Sequence, residues 1–316
     1  MAQTVAIIGC GLVGRAWAMV FARAGYAVRL FDSDAAVLAA APGHIAQGLT
    51  DLAAAGLAER PQEAIARVHV AGSLAEALDG AIYAQESVLE RVEIKRDLFA
   101  AIDAVIGPDT LVGSSSSGIP ASAFTDHCAC RDRCLITHPV NPPHVLKVVE
   151  LVPAPWTSED TVRRVRALMS EVGQAPVELT REIEGFILNR LQAVLLMEAW
   201  RLVEEGYVTT EDLDLTLSEG LGMRWSFMGP FETIDLNAVG GVADYARRLG
   251  PLYQSIAASR ADHRVWDAPL IERIEAQRRE ALQADQLAQR SLWRDRRLMA
   301  LARHKQQAAA DDEAAS

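Results

Sequence analysis

Basic residues are outnumbered in this chain. Its 31 Lys and Arg stand against 42 Asp and Glu, a formal net charge of −11, and no basic stripe is visible. Nucleic acid and anionic membrane surfaces are therefore not expected partners. No apolar run approaches the length of a membrane span. The chain runs into its first strand within four residues, which leaves no room for a signal or transit peptide and makes cytoplasm the expected location. Cysteine is scarce too: Cys10, Cys128, Cys130 and Cys134 are the four present. The C-x-C-x-x-x-C spacing of the last three is not a common zinc arrangement, so neither a metal site nor a disulfide is expected.

What is present fits a globular protein. Half of the 316 residues are hydrophobic and 23% are charged, and the length allows two domains with a sizeable core. Residues 5–8 form a short apolar run that reads as a buried strand. It breaks into Gly9-Cys10-Gly11-Leu12-Val13-Gly14. An amphipathic stretch covers residues 15–24, Gly25 stops it, and a second strand from Tyr26 ends at Asp32. Strand, G-x-G-x-x-G, helix, strand and acid together form the pattern of a dinucleotide site. Gly9 permits the tight turn, Gly11 lets a pyrophosphate approach the backbone, and Gly14 lets helix and strand pack closely. The first helical N–H groups, around Leu12 and Val13, then face the phosphates. Asp32 can accept from both ribose hydroxyls and repels a 2′-phosphate, and no Arg or Lys follows within the next few residues. NAD rather than NADP is the expected cofactor.

Apolar segments separated by Gly or Pro breaks carry the strand–helix pattern to about residue 155. Further strands are expected at residues 68–70, 81–86, 110–113, 133–138 and 148–152. Such alternation implies an α/β fold, a Rossmann-type doubly wound and mostly parallel sheet, with ligands at the carboxyl ends of the strands. From Glu184 onward helical periodicity dominates. Residues 186–205 are strongly apolar on one face, Thr210-Glu211-Asp212 reads as a helix start, and residues 306–316 as a frayed tail. The expected organisation is a dinucleotide domain over residues 1–183 and an all-α domain over residues 184–316 for substrate and subunit contact.

Four polar residues stand where chemistry could occur. His138 ends an apolar strand and precedes Pro139-Val140-Asn141-Pro142-Pro143, which holds it on a rigid loop. Glu150 lies inside an apolar strand, where a carboxylate is costly to bury unless paired. A His–Glu pair would satisfy both, the carboxylate fixing the imidazole tautomer; a surface His and an edge Glu is the plainer reading. Ser117 closes the run Ser114-Ser115-Ser116-Ser117 and could donate to a substrate oxygen, or simply form a loop. Asn189, on the apolar helix, is either a structural tie or a donor to substrate.

Taken together, Gly9 to Gly14, the serine run, His138-Pro139-Val140-Asn141-Pro142, Glu150 and Gly185-Phe186-Ile187-Leu188-Asn189-Arg190 resemble the 3-hydroxyacyl-CoA dehydrogenase superfamily. The likeness spans almost the whole chain. It implies an NAD-dependent dehydrogenase in which His138 is the general base, Glu150 orients it, and Ser117 and Asn189 hold the oxygen that becomes a carbonyl. It adds Glu90, Lys95 and Asn141 as NAD contacts and suggests a homodimer through the helical domain. One departure bears on substrate: residues 36–66 hold a single Arg, Arg60, and no Lys, where relatives that use CoA place basic contacts. A small free 3-hydroxy acid is therefore expected, and the resemblance implies L-gulonate as its leading candidate, with Arg224 binding its carboxylate or forming a subunit salt bridge. A 3-hydroxyacyl-CoA, a carnitine-type acid, and a non-catalytic NAD-binding structural protein are the alternatives.

Overall fold

The apolar run at the N-terminus becomes β1 (Thr4–Ile8), an inner strand whose Val5 to Ile8 are almost fully buried. It is flanked by β2 (Ala27–Phe31) and β4 (Ala81–Glu86). The remaining strands are β3 (Val68–Val70), β5 (Leu111–Ser114), β6 (Cys134–Pro139), β7 (Val148–Pro153) and β8 (Ala175–Glu178). The computed structural model describes residues 2–260 and 265–315. Among these, the eight strands form one sheet in the order β3-β2-β1-β4-β5-β6-β7-β8. Only β6 and β7 pair antiparallel. The order reverses direction at β1 and β4, which is where an open sheet of this kind leaves a ligand crevice.

Side chains alternate across the sheet, and each face has its own core. Val5, Ile7, Val28 and Leu30 pack with α1 (Leu12–Arg23), α2 (Ala35–Ala54) and α7 (Glu159–Glu171). Ala6, Ile8, Ala84, Val112 and Ile136 pack on the other face with α4 (Leu74–Leu78), α5 (Val92–Asp103) and α6 (Ser122–Thr125). A short α3 (Pro61–Ala66) follows α2. The strand–helix pattern runs past residue 155, since α7 and β8 extend the sheet. β8 escapes a reading by apolar pattern because three of its four residues are exposed.

The chain forms two compact units, Met1–Gln192 with Arg294–Ser316, and Ala193–Trp293. The second is helical: most of α8 (Leu188–Glu204), then α9 (Thr210–Leu215), one π-helical turn over Thr216–Leu221, α10 (Gly222–Trp225), α11 (Pro230–Leu236), α12 (Gly241–Ser259) and α13 (Ala268–Ala281). Trp200 and Trp266 stack at 4.2 Å within it. As expected, α9 starts at Thr210; its cap is Thr209, whose hydroxyl accepts from the Asp212 amide at 3.1 Å. The last helix, α14 (Leu287–Ala315), continues through the stretch expected to fray. That stretch is rich in alanine, the best helix former. Earlier in α14, Leu298, Met299 and Ala302 pack on the core beside α1 and α2.

Candidate active site

The turn from β1 into α1 is shaped by sterics. Gly9 has φ +92°, open to glycine at no steric cost. A Cβ on Gly14 would lie 1.8 Å from the Gly9 carbonyl oxygen, so helix and turn touch there. A Cβ on Gly11 would meet nothing within 4 Å, which leaves its face open. Gly11 is also the N-cap of α1 and offers no side chain to its amides, so those donors remain for a ligand. Asp32 is fixed at the end of β2: Cys10 N–H donates to its Oδ2 at 2.7 Å and Asp34 N–H to its Oδ1 at 2.9 Å. A diphosphate over the turn and a ribose at Asp32 fit this cradle. Burial pushes the Cys10 thiol up to about 12, and the Asp32 charge adds to it, so Cys10 is an inert part of the turn.

On the antiparallel pair β6–β7, His138 and Glu150 are directly opposite. Their Nδ1 and Oε2 are 2.7 Å apart, and both side chains are buried. The other carboxylate oxygen accepts from the amides of Ile187 at 2.7 Å and Leu188 at 3.0 Å, at the start of α8. Gly185 and Phe186, both at positive φ, make the turn that aims these amides. Phe186 is fully buried and lies 5.6 Å from the His138 ring. Burial pushes the Glu150 pKa up, yet His138 and the two amides outweigh it and hold the carboxyl below its ordinary value. An ionised Glu150 requires Nδ1 of His138 to be the donor. Nε2 is then the ring nitrogen with no partner among the described residues.

The four serines that begin at the last residue of β5 make four different sets of contacts. Ser114 Oγ donates to Glu86 Oε2 at 2.5 Å. Ser115 Oγ accepts from Trp17 Nε1 and Gln85 Nε2. Ser116 Oγ donates to Glu90 at 2.9 Å. Ser117 alone of the four keeps a hydroxyl with no partner among the described residues, while its carbonyl accepts from Asn189 Nδ2 at 2.7 Å. Glu90 Oε1 also takes the amides of Ser117 at 2.8 Å and Gly118 at 2.6 Å. Burial raises the Glu90 pKa, but these donors bring it below the ordinary value. Glu90 therefore clamps the Ser117 loop from one side and Asn189 ties it from the other. Because Asn189 follows Leu188, the same helix start organises both Ser117 and the His138–Glu150 pair.

Lys95 is placed differently from the expected cofactor contact. It is 1% exposed and donates to both Glu86 oxygens at 2.8 Å. A long cationic side chain on an exposed-looking helix turns inward because Glu86, at the buried end of β4, demands a partner. Asn141 lies exposed on the loop after His138. Arg224, in α10 of the second unit, is half-buried, and its guanidinium has no partner among the described residues. The four cysteines are free and buried; Cys130 and Cys134 bring their sulfurs to 3.8 Å. Residues missed in the sequence include Glu86, Phe186, Gln85 and Ser115. The first carried a signal: an acid closing an apolar strand, followed nine residues later by a lysine.

Comparison with known proteins places this geometry. The profile of the 3-hydroxyacyl-CoA dehydrogenase NAD binding domain matches residues 4–183, and that of the C-terminal domain matches residues 185–278. The chain is 40% identical to lambda-crystallin of Oryctolagus cuniculus, over 97% of each chain. It is 35% identical to L-carnitine dehydrogenase of Pseudomonas aeruginosa, covering 80% of this chain and 78% of that one. The solved structure of 5-formyl-3-hydroxy-2-methylpyridine 4-carboxylic acid 5-dehydrogenase, described as an NAD+-dependent dismutase, superposes with a TM-score of 0.82 at 29% identity, over 96% of this chain and 98% of that chain. With a dinucleotide cradle and a His–Glu pair in place, the chain belongs to the 3-hydroxyacyl-CoA dehydrogenase family and is an NAD-dependent oxidoreductase acting on a CH–OH group.

Proposed function

We propose that the protein oxidises the 3-hydroxyl of a small free hydroxy acid, with L-gulonate as the leading candidate. The observation that carries the reaction is the buried His138–Glu150 pair at 2.7 Å, in the same unit as a Ser117 hydroxyl free of described partners. His138 takes the hydroxyl proton at Nε2. Glu150 holds the ring in one tautomer and stabilises its protonated form. The Ser117 hydroxyl and Asn189 amide hold the oxygen as negative charge develops on it. NAD, when bound at Gly9–Gly14, Asp32 and the Glu90 loop, supplies the hydride acceptor.

Two observations support a free acid over a CoA ester. Residues 36–66 offer one arginine and no lysine to a phosphate-bearing substrate. Arg224 has a guanidinium without a described partner, suited to bidentate contact with a carboxylate. In this reading residues 1–183 bind cofactor and residues 184–316 bind substrate and form the homodimer contact. The apolar side chains Leu191, Val194 and Leu195 exposed on α8 support a subunit interface. The cytoplasm is the proposed compartment.

The test is NADH formation with L-gulonate, L-3-hydroxybutyrate, carnitine and L-3-hydroxybutyryl-CoA in parallel. Turnover of a free acid, with a raised KM in Arg224→Met, is the expected result. Turnover of the CoA ester alone contradicts the substrate assignment. Silence on all four with NADH still binding leaves an untested hydroxy acid or the non-catalytic alternative.

A further inference from the structure

Beneath the cofactor crevice runs a buried chain of hydrogen bonds whose direction can be worked out group by group. Tyr83 OH contacts Gln85 Oε1 at 2.5 Å, and Thr137 Oγ1 contacts the same oxygen at 2.9 Å. A separation of 2.5 Å suits an oxygen pair, not a nitrogen and an oxygen, which fixes the side-chain amide. Burial pushes the Tyr83 phenol well above its ordinary value, so it stays protonated and donates. With Oε1 accepting twice, Gln85 Nε2 donates to Ser115 Oγ at 2.7 Å. Trp17 Nε1, which can only donate, reaches the same oxygen at 3.1 Å.

A hydroxyl has two lone pairs and one proton. Both Ser115 lone pairs are taken, so its proton goes to Ser87 Oγ, 2.9 Å away. Ser87 therefore accepts from inside the protein, and its own proton has no acceptor among the described residues. Its position decides where that proton can go. Ser87 follows the last residue of β4, its amide donates to the Ile8 carbonyl at the end of β1, and it is half-buried. A Cβ on Gly9 would lie 2.7 Å from the Ser87 carbonyl. Ser87 thus stands against the dinucleotide turn, at the reversal of strand order between β1 and β4.

We infer that Ser87 is a cofactor-binding residue. Its hydroxyl donates to an acceptor oxygen of the bound dinucleotide beside the glycine turn, and the chain through Gln85 and Ser115 holds that donor pointing outward. Gln85 is the positioning residue that sets the polarity. Gln85→Glu reverses it: a carboxylate accepts from Ser115, Ser115 then accepts from Ser87, and the Ser87 proton is drawn inward. The two sites act through a single hydrogen bond to cofactor, so their effects cannot multiply.

The test is the dissociation constant for NADH, read by the change in its fluorescence on binding, with the melting temperature measured alongside. Ser87→Ala is expected to weaken NADH binding about tenfold, as loss of one hydrogen bond to a charged or strongly polar acceptor does. Gln85→Glu is expected to weaken it by a similar factor, and the double variant no more than either single one. A Ser87→Ala protein that loses melting temperature while keeping NADH affinity within about twofold overturns the proposal. So does a double variant whose loss is the product of the two. Ser87→Ala removes one atom at a half-buried position, so it keeps the test decisive if Gln85→Glu does not fold.

Discussion

His138 and Glu150 meet across the one antiparallel strand pair in the described sheet, with Nδ1 and Oε2 2.7 Å apart and the far carboxylate oxygen held by the start of α8. The carboxylate is thereby committed to two tasks. It orients the His138 ring, and it fastens the helix that carries Asn189.

Separating those tasks is straightforward. Glu150→Gln keeps the size and removes the charge. Turnover is expected to fall about a hundredfold or more, within the range for loss of general-base assistance. NADH affinity is expected to stay near the starting value. Steady-state kinetics and a binding titration together check this.

The same carboxylate makes stability depend on acid pH. Its folded pKa is below the ordinary value, so its contribution is present above the usual carboxylate range and is lost as pH falls through the folded pKa. Denaturant melts across the acid range should show a shallower loss in Glu150→Gln than in the parent protein.

His144 contributes in a neighbouring window. Burial, and after it the Arg23 charge, lower its pKa to about 4, against an opposing effect of Asp295. The unfolded chain binds the extra proton between that value and the ordinary 6.5, so this contribution is complete above 6.5 and is lost as pH falls towards 4. The full change is on the order of 3 kcal/mol. Urea titrations of His144→Gln should show a flatter dependence across this window.

Gly113 is a gap with a purpose. It lies on β5 between β4 and β6, and a Cβ there would come within 1.9 Å of Tyr83 OH and 2.4 Å of Thr137 Oγ1. Gly113→Ala is expected to destabilise the fold by about 1–3 kcal/mol, the range for overpacking. Combining it with Tyr83→Phe, which removes the nearest atom, should recover part of that loss in chemical denaturation.

We propose that cofactor choice rests on Asp32. Asp32→Ala is expected to weaken NADH binding about tenfold or more and to narrow the preference over NADPH, since the ribose acceptor and the repulsion of a 2′-phosphate go together. Paired binding titrations measure both.

These sites were unequally legible in the sequence. The cofactor turn was readable because its sterics are local: Gly9, Gly11 and Gly14 act within six residues, and Asp32 closes the next strand. Ser117, His138, Glu150 and Asn189 could be placed in one site only through resemblance, because the register that sets His138 against Glu150 is written in no short stretch. The inward turn of Lys95 depends on Glu86, whose burial follows from the sheet order. The Tyr83–Gln85–Thr137 contacts cross β5 through the space left by Gly113, so they involve three strands at once and leave no local pattern. Phe186 adopts φ 49°, a conformation a sequence pattern does not announce for a bulky residue.

The central claim is that His138 is the base for oxidation of a free hydroxy acid. It is tested most directly by the rate of NADH formation from the best free acid, measured for the parent protein and for His138→Ala at matched NAD occupancy. Expected is a fall of about a thousandfold in kcat with NADH affinity unchanged. Retention of turnover by His138→Ala would contradict the claim and move the proton transfer to another group.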